Sequence, residues 1–157
     1  MQAMLQPTEH SVSPSSADTR LLGPVARERI ADVLPVVMPL LAPAFEQDGW
    51  KVGVDDLRRL LTTGGMELWC VFDARQTQLL AAIASEVMEY PKARVFCLAF
   101  CGGTELERWA HWISAFDDIA RERGCTSVRI AGRKGWGRVF PEYAERARIF
   151  EKRLEVE

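Results

Sequence analysis

Residues 94–101, Arg-Val-Phe-Cys-Leu-Ala-Phe-Cys, form a nearly unbroken apolar run, and beyond two glycines the pattern changes to a helical one. An eight-residue run of this kind, between turn residues, predicts a central strand covered on both faces. In the following segment, Thr104–Gly124, Leu106, Trp109, Ile113, Phe116 and Ala120 share one helical stripe, and Gly124 stands just past its end. A doubly covered strand feeding an amphipathic helix needs layers on both sides of a sheet. That demand excludes an all-α bundle and a one-sided β-sandwich.

The remaining elements fall around this unit. Residues 66–73 (MELWCVFD) and 78–90 (QLLAAIASEVMEY), joined by a short polar turn, read as a hairpin. Residues 125–133 (CTSVRIAGR) read as a strand and residues 136–145 (WGRVFPEYAE) as a short helix or turn. Residues 146–155 (RARIFEKRLE) alternate as a final strand would. On the N-terminal side, residues 25–30 (VARERI) alternate as a short strand. Residues 31–49 carry Pro35, Pro39 and Pro43, which predict a kinked or broken helix. Residues 53–65 (GVDDLRRLLTTGG) predict a second helix ended by glycines. The expected order is β-α-α-β-β-β-α-β-α-β, an α/β (α+β) single domain over residues 23–157. Residues 1–22, rich in Ser, Thr, Pro and Gln, form an expected flexible tail that orders on a partner.

Composition narrows the function classes. With 20 basic and 22 acidic residues among 157, bulk charge does not recruit nucleic acid or a membrane. The longest apolar stretch is broken by three prolines and falls short of the roughly 18 residues of a membrane span. The N-terminus lacks the basic and apolar regions of a secretory signal, so export by signal peptide is not expected. Cys70, Cys97, Cys101 and Cys125 contain no CxxC pair and only two histidines accompany them, so no metal site is expected. Residues 129–153 hold eight basic and three acidic side chains, read as a solvated face in preference to a nucleic-acid surface.

The element order resembles that of the GCN5-related N-acetyltransferases (GNATs), with a mixed, mostly antiparallel sheet whose central strand pair splays. The landmarks Leu68-Trp69, Tyr90-Pro91 and Gly132-Arg133-Lys134-Gly135-Trp136 are similar to those of small GNAT-like proteins of tailed bacteriophages. The resemblance implies acetyl transfer to an amine, with acetyl-CoA in the splay. Its cofactor loop has the form Q/R-x-x-G-x-G/A. Laid over Glu105–Ala110, that form meets Glu105 at the Q/R position and Arg108 at the first glycine; only Ala110 fits. Thr104 and Glu107 instead have the spacing of a capping box, which would close the helix end with its own side chains. Arg108, Arg133 and Lys134 could offset the local negative charge. The family's proton-donating Tyr falls on Phe140, three residues before Tyr143.

Two functions are therefore expected in order. The first is a non-catalytic structural component of a phage particle, in the virion or host cytoplasm, needing no cofactor and binding protein partners through its tail. Its interaction residues would be Trp112, Arg133, Lys134, Trp136 and Arg138, with Trp136 alternatively plugging the cofactor gap. The second is a divergent acetyl-CoA-dependent enzyme. Leu98, Ala99 and Phe100 would then line the pantetheine arm, and Gly102, Gly103 and Thr104 the pyrophosphate. Glu86 or Tyr143 would handle protons, Glu89 being a further strand-end carboxylate. His111 is placed on the water-facing side of the helix and His10 in the tail.

Overall fold

A computed structural model of the chain describes residues 18–45, 51–132 and 135–155. Five strands form one sheet in the order β1 (Thr19–Leu22), β2 (Glu67–Asp73), β3 (Leu79–Tyr90), β4 (Ala93–Gly103) and β5 (Ser127–Ile130). The first four are antiparallel neighbours, and β5 alone runs parallel to β4. Helices α1 (Ile30–Phe45) and α2 (Val54–Thr63) cover one face. The other face carries α3 (Leu106–Trp109), a 3-10 turn (Ala110–Ser114), α4 (Ala115–Glu122) and α5 (Trp136–Val139). Each face has its own core: Leu68, Cys70, Phe72, Ala82 and Ala84 point to α1, while Trp69, Val71, Ala81, Ile83 and Phe96 point to α4. This strict alternation is the period-two signature of a sheet covered twice.

Five expectations about the fold need correction. The first strand is Thr19–Leu22, inside the expected tail, because Leu21 and Leu22 are buried against β2; residues 1–17 lie outside the described residues. Residues 25–30 form no strand: Arg27–Arg29 make a 3-10 turn and Ile30 opens the buried stripe of α1. That helix runs through all three prolines without a break. Their four-residue spacing lines Ala31, Pro35, Pro39 and Pro43 along one exposed face, where water can serve the carbonyls that proline leaves unbonded.

The fourth correction is the final strand. Residues 146–155 have no sheet partner among the described residues, and Ile149, Phe150 and Leu154 are 88%, 91% and 70% exposed. The segment is tied instead to the start of α2 by a 2.7 Å Lys51–Glu151 ion pair. The predicted long helix is also divided into α3, the 3-10 turn and α4, although its buried stripe holds at Trp109, Ile113, Phe116 and Ala120. Gly124, at φ 73°, ends it as expected. No described helix is long and apolar enough to cross a membrane.

Candidate functional site

The site is built where β4 and β5 part. Val95–Leu98 pair in parallel with Ser127–Ile130, and the last rung is the Ala131 amide donating to the Leu98 carbonyl at 3.3 Å. Beyond it β4 continues through Ala99–Gly103, paired only with β3. A bulge facing Ala84 and Ser85 inserts one extra residue, Ala99, at the point of divergence. Among the described residues, the β5-side edge of Ala99–Gly103 has no strand partner. Such an edge presents amides and carbonyls to any extended chain that carries amides of its own.

The sequence-derived cofactor residues divide at this edge. Leu98 is fully buried in the α4-side core; Ala99 and Phe100 turn toward α1, where Phe100 stacks on Phe45 at 4.4 Å. Gly102 and Gly103 are glycines for packing reasons. A Cβ at Gly102 would lie 1.9 Å from the Leu40 carbonyl oxygen of α1, and one at Gly103 would lie 2.4 Å from that of Leu80. Thr104 follows the strand directly and is tied to it, since its amide donates to the Leu80 carbonyl; its own carbonyl accepts from the Trp109 indole.

The expected capping box is therefore not formed. Glu105, in the left-handed region at φ 53°, precedes α3, and no side chain caps its first turn. Arg108 is held by Asp18 at 2.9 Å and by Glu105 at 3.4 Å. The strand edge fits a pantetheine arm. The adjoining turn would take a pyrophosphate only with Arg108 turned away from those two carboxylates. Arg133 and Lys134, expected to help there, lie outside the described residues.

Glu86 is brought close to the divergence. It sits opposite Cys97 in the β3–β4 register, and Cys97 sits opposite Arg129 on β5, so all three share the α1 face. Half-buried, the Glu86 carboxylate accepts no hydrogen bond from a described residue. Burial, with a smaller contribution from Glu86, pushes the Cys97 thiol up to about 11. Glu89 is engaged with Arg94 at the far end of the strand.

Tyr143 lies on the opposite face of the sheet, so the structure does not cluster it with Glu86. It lines a cavity of about 170 Å³ with His111, Asp117 and the buried Phe140. The Tyr143 hydroxyl and His111 Nε2 are both buried and find no partner among the described residues. Burial, reinforced by Asp117 and Glu142, pushes the phenol up to about 12. Burial also lowers the His111 imidazole, and it raises Asp117.

No family model matches the sequence, and no curated protein matches it significantly. Solved structures do. A Thermus thermophilus protein aligns with a TM-score of 0.57 at 15% identity, over 88% of this chain and 98% of its own. An aminoglycoside acetyltransferase from an uncultured soil metagenomic sample aligns at 0.60 and 15%, over 87% and 95%. A possible acetyltransferase from Clostridium difficile aligns at 0.59 and 9%, over 88% and 99%. The chain has the GNAT fold. The splayed β4–β5 pair expected from the sequence is thus found on a matching architecture.

On this GNAT scaffold two expected interaction residues are placed differently. Trp112 is not a surface anchor: it is 2% exposed, and its indole donates to the Thr19 hydroxyl at 2.7 Å. The 3-10 winding brings residues three apart into line, which turns Trp112 inward beside Trp109. Trp136 is half-buried, its ring lying against Gly132 and edge-on to Phe140 at 5.7 Å. Arg138 is exposed. His111, set aside in the sequence as solvent-facing, turns out to share the Tyr143 cavity. No sequence signal links the two, since Phe140 and Tyr143 reach His111 only through the packing of the fold.

Proposed function

We propose that the chain is an acetyl-CoA-dependent N-acetyltransferase acting on an amine. The observation that carries this is the β5-side edge of Ala99–Gly103, which has no strand partner among the described residues and opens where the parallel rungs stop at Leu98. Backbone groups of that edge would hold the pantetheine amides, and the bulge at Ala99 changes the direction of the edge at the divergence. Bound acetyl-CoA would supply the activated thioester carbonyl. Glu86, an acceptor with no hydrogen-bond donor beside it among the described residues, would take a proton from an incoming ammonium on the α1 face. Tyr143 keeps its proton at neutral pH. Acetyltransferase names among the GNAT-fold structures support the same reading.

The non-catalytic reading leaned on a helix end sealed by Thr104 and Glu107, on Phe140 at the position of the family's Tyr, and on the N-terminal tail; the first of these, the seal, is not made. Calorimetric titration with acetyl-CoA, followed by transfer assays over a panel of primary amines, tests the proposal. Micromolar binding, on the order of −8 kcal/mol, is expected. Glu86→Gln is expected to lower kcat by about 10²–10⁴-fold with cofactor affinity unchanged. Absence of heat at millimolar cofactor together with absence of transfer would overturn it.

A further inference from the structure

We propose that the cavity at the start of β2 is a binding site for a small organic monocarboxylate. Four parts of the chain enclose it: the β1–α1 connection, the end of α2, the first residues of β2, and Arg123 just after α4. Its volume of about 410 Å³ lies in the range of small-molecule pockets, roughly 300–1,000 Å³. It shares no residue with the Ala99–Gly103 edge or with the Tyr143 cavity. The inference is therefore independent of the acetyltransferase reading.

The charged lining names the ligand. It consists of Arg27, Arg123 and Glu67. Arg123 is paired with Glu67, and its guanidinium lies 6.0 Å from the centres of both the Trp69 and the Phe96 rings. Those contacts hold it in place and balance its charge. Arg27 makes no ion pair or hydrogen bond with a described residue. Its guanidinium lies against Gly64, where any side chain would collide with Nη2. Gly64 is also the left-handed residue, at φ 86°, that ends α2. The arginine is thus settled at the cavity with its fork unused. Two guanidiniums and one carboxylate leave a single positive charge, which a monocarboxylate matches. A phosphate monoester, at about −1.5 to −2, exceeds it. A planar fork takes both oxygens of a carboxylate at once. Val25, Leu61 and Met66 supply an apolar wall for the body of the acid.

The test is an NMR titration of the isotope-labelled full-length protein with hexanoate, beside hexylamine and hexyl phosphate at matched ionic strength. Hexanoate is expected to shift the amides of Arg27, Gly64 and Glu67 saturably, with a Kd of about 1 mM or less. Arg27→Gln is expected to weaken that binding about tenfold or more. Arg27→Lys, which keeps the charge and loses the fork, is expected to fall between the two. Arg27 is exposed, and unchanged amide shifts away from the cavity serve as the control for folding. Shifts that rise linearly without saturating would overturn the inference, as would shifts centred on other residues. So would hexylamine binding as well as hexanoate, hexyl phosphate binding more tightly, or an Arg27→Gln protein that binds hexanoate as well as the parent.

Discussion

The contact between Thr19 and Trp112 joins the first strand to the 3-10 turn across ninety-three residues of sequence, and its strength can be worked out. Thr19 is 0% exposed and Trp112 2% exposed. The Thr19 hydroxyl accepts from the indole at 2.7 Å and donates to the Arg108 carbonyl at 3.3 Å. Thr19→Val keeps the shape but strands the buried indole N–H, a loss of about 1–3 kcal/mol. Trp112→Phe takes away the donor to the buried Thr19 oxygen and shrinks the ring, a loss of about 2–4 kcal/mol. In the double variant neither group is left unsatisfied, so the total should fall short of the two single losses by about 1–2 kcal/mol. Urea unfolding followed by circular dichroism measures all four proteins, and each kcal/mol corresponds to a Tm shift of about 2–4 °C at this size. Additivity within about 0.5 kcal/mol would refute the reasoning. So would a Trp112→Phe change of under about 0.5 kcal/mol, the behaviour of an exposed side chain.

Gly102→Ala places a methyl 1.9 Å from the Leu40 carbonyl oxygen, so α1 must shift; a loss of about 3 kcal/mol in urea unfolding is expected. Tyr143, pushed up to about 12 by burial, holds its proton in the folded state after the unfolded phenol has lost its own near 10. Stability should therefore fall as pH rises from about 10 towards 12, a slope that Tyr143→Phe removes. His111 has the opposite sense. Its folded imidazole is lowered by burial, so stability is lost as pH falls below the unfolded value near 6.5, and its NMR titration midpoint should lie below that ordinary value. Cys70 and Cys101, pushed up to about 12 by burial, should react with thiol reagents only on unfolding.

The local patterns were readable because local physics decides them. The β2–β3 hairpin, the doubly covered β4 and the stripe from Trp109 to Ala120 follow from periods of two and 3.6. What escaped the sequence depends on distant partners. Leu21 and Leu22 look like tail residues until β2 supplies the ladder that buries them. Thr104 and Glu107 have ideal capping spacing, but the Leu80 carbonyl takes the Thr104 amide and ties it to the end of the strand. Trp112 could not be seen as buried without Thr19, and His111 could not be linked to Tyr143 without the fold between them. At the site, Glu86 was legible as a strand carboxylate. The open edge beyond Leu98 was not, because it depends on where β5 stops.

The proline stripe of α1 bears on how the chain folds. Pro35, Pro39 and Pro43 supply no amide, so the helix lacks three of the bonds that let an isolated helix propagate. Helicity there must be borrowed from the sheet through the buried side chains of the stripe. The β2–β3–β4 meander, whose pairings are close in sequence, is the expected nucleus, with α1 expected to condense on it afterwards. Once in place, the helix sets the Leu40 carbonyl against Gly102 on the strand whose edge is proposed to hold the cofactor. Order at that edge is therefore expected late in folding, with the helix that lacks three amides.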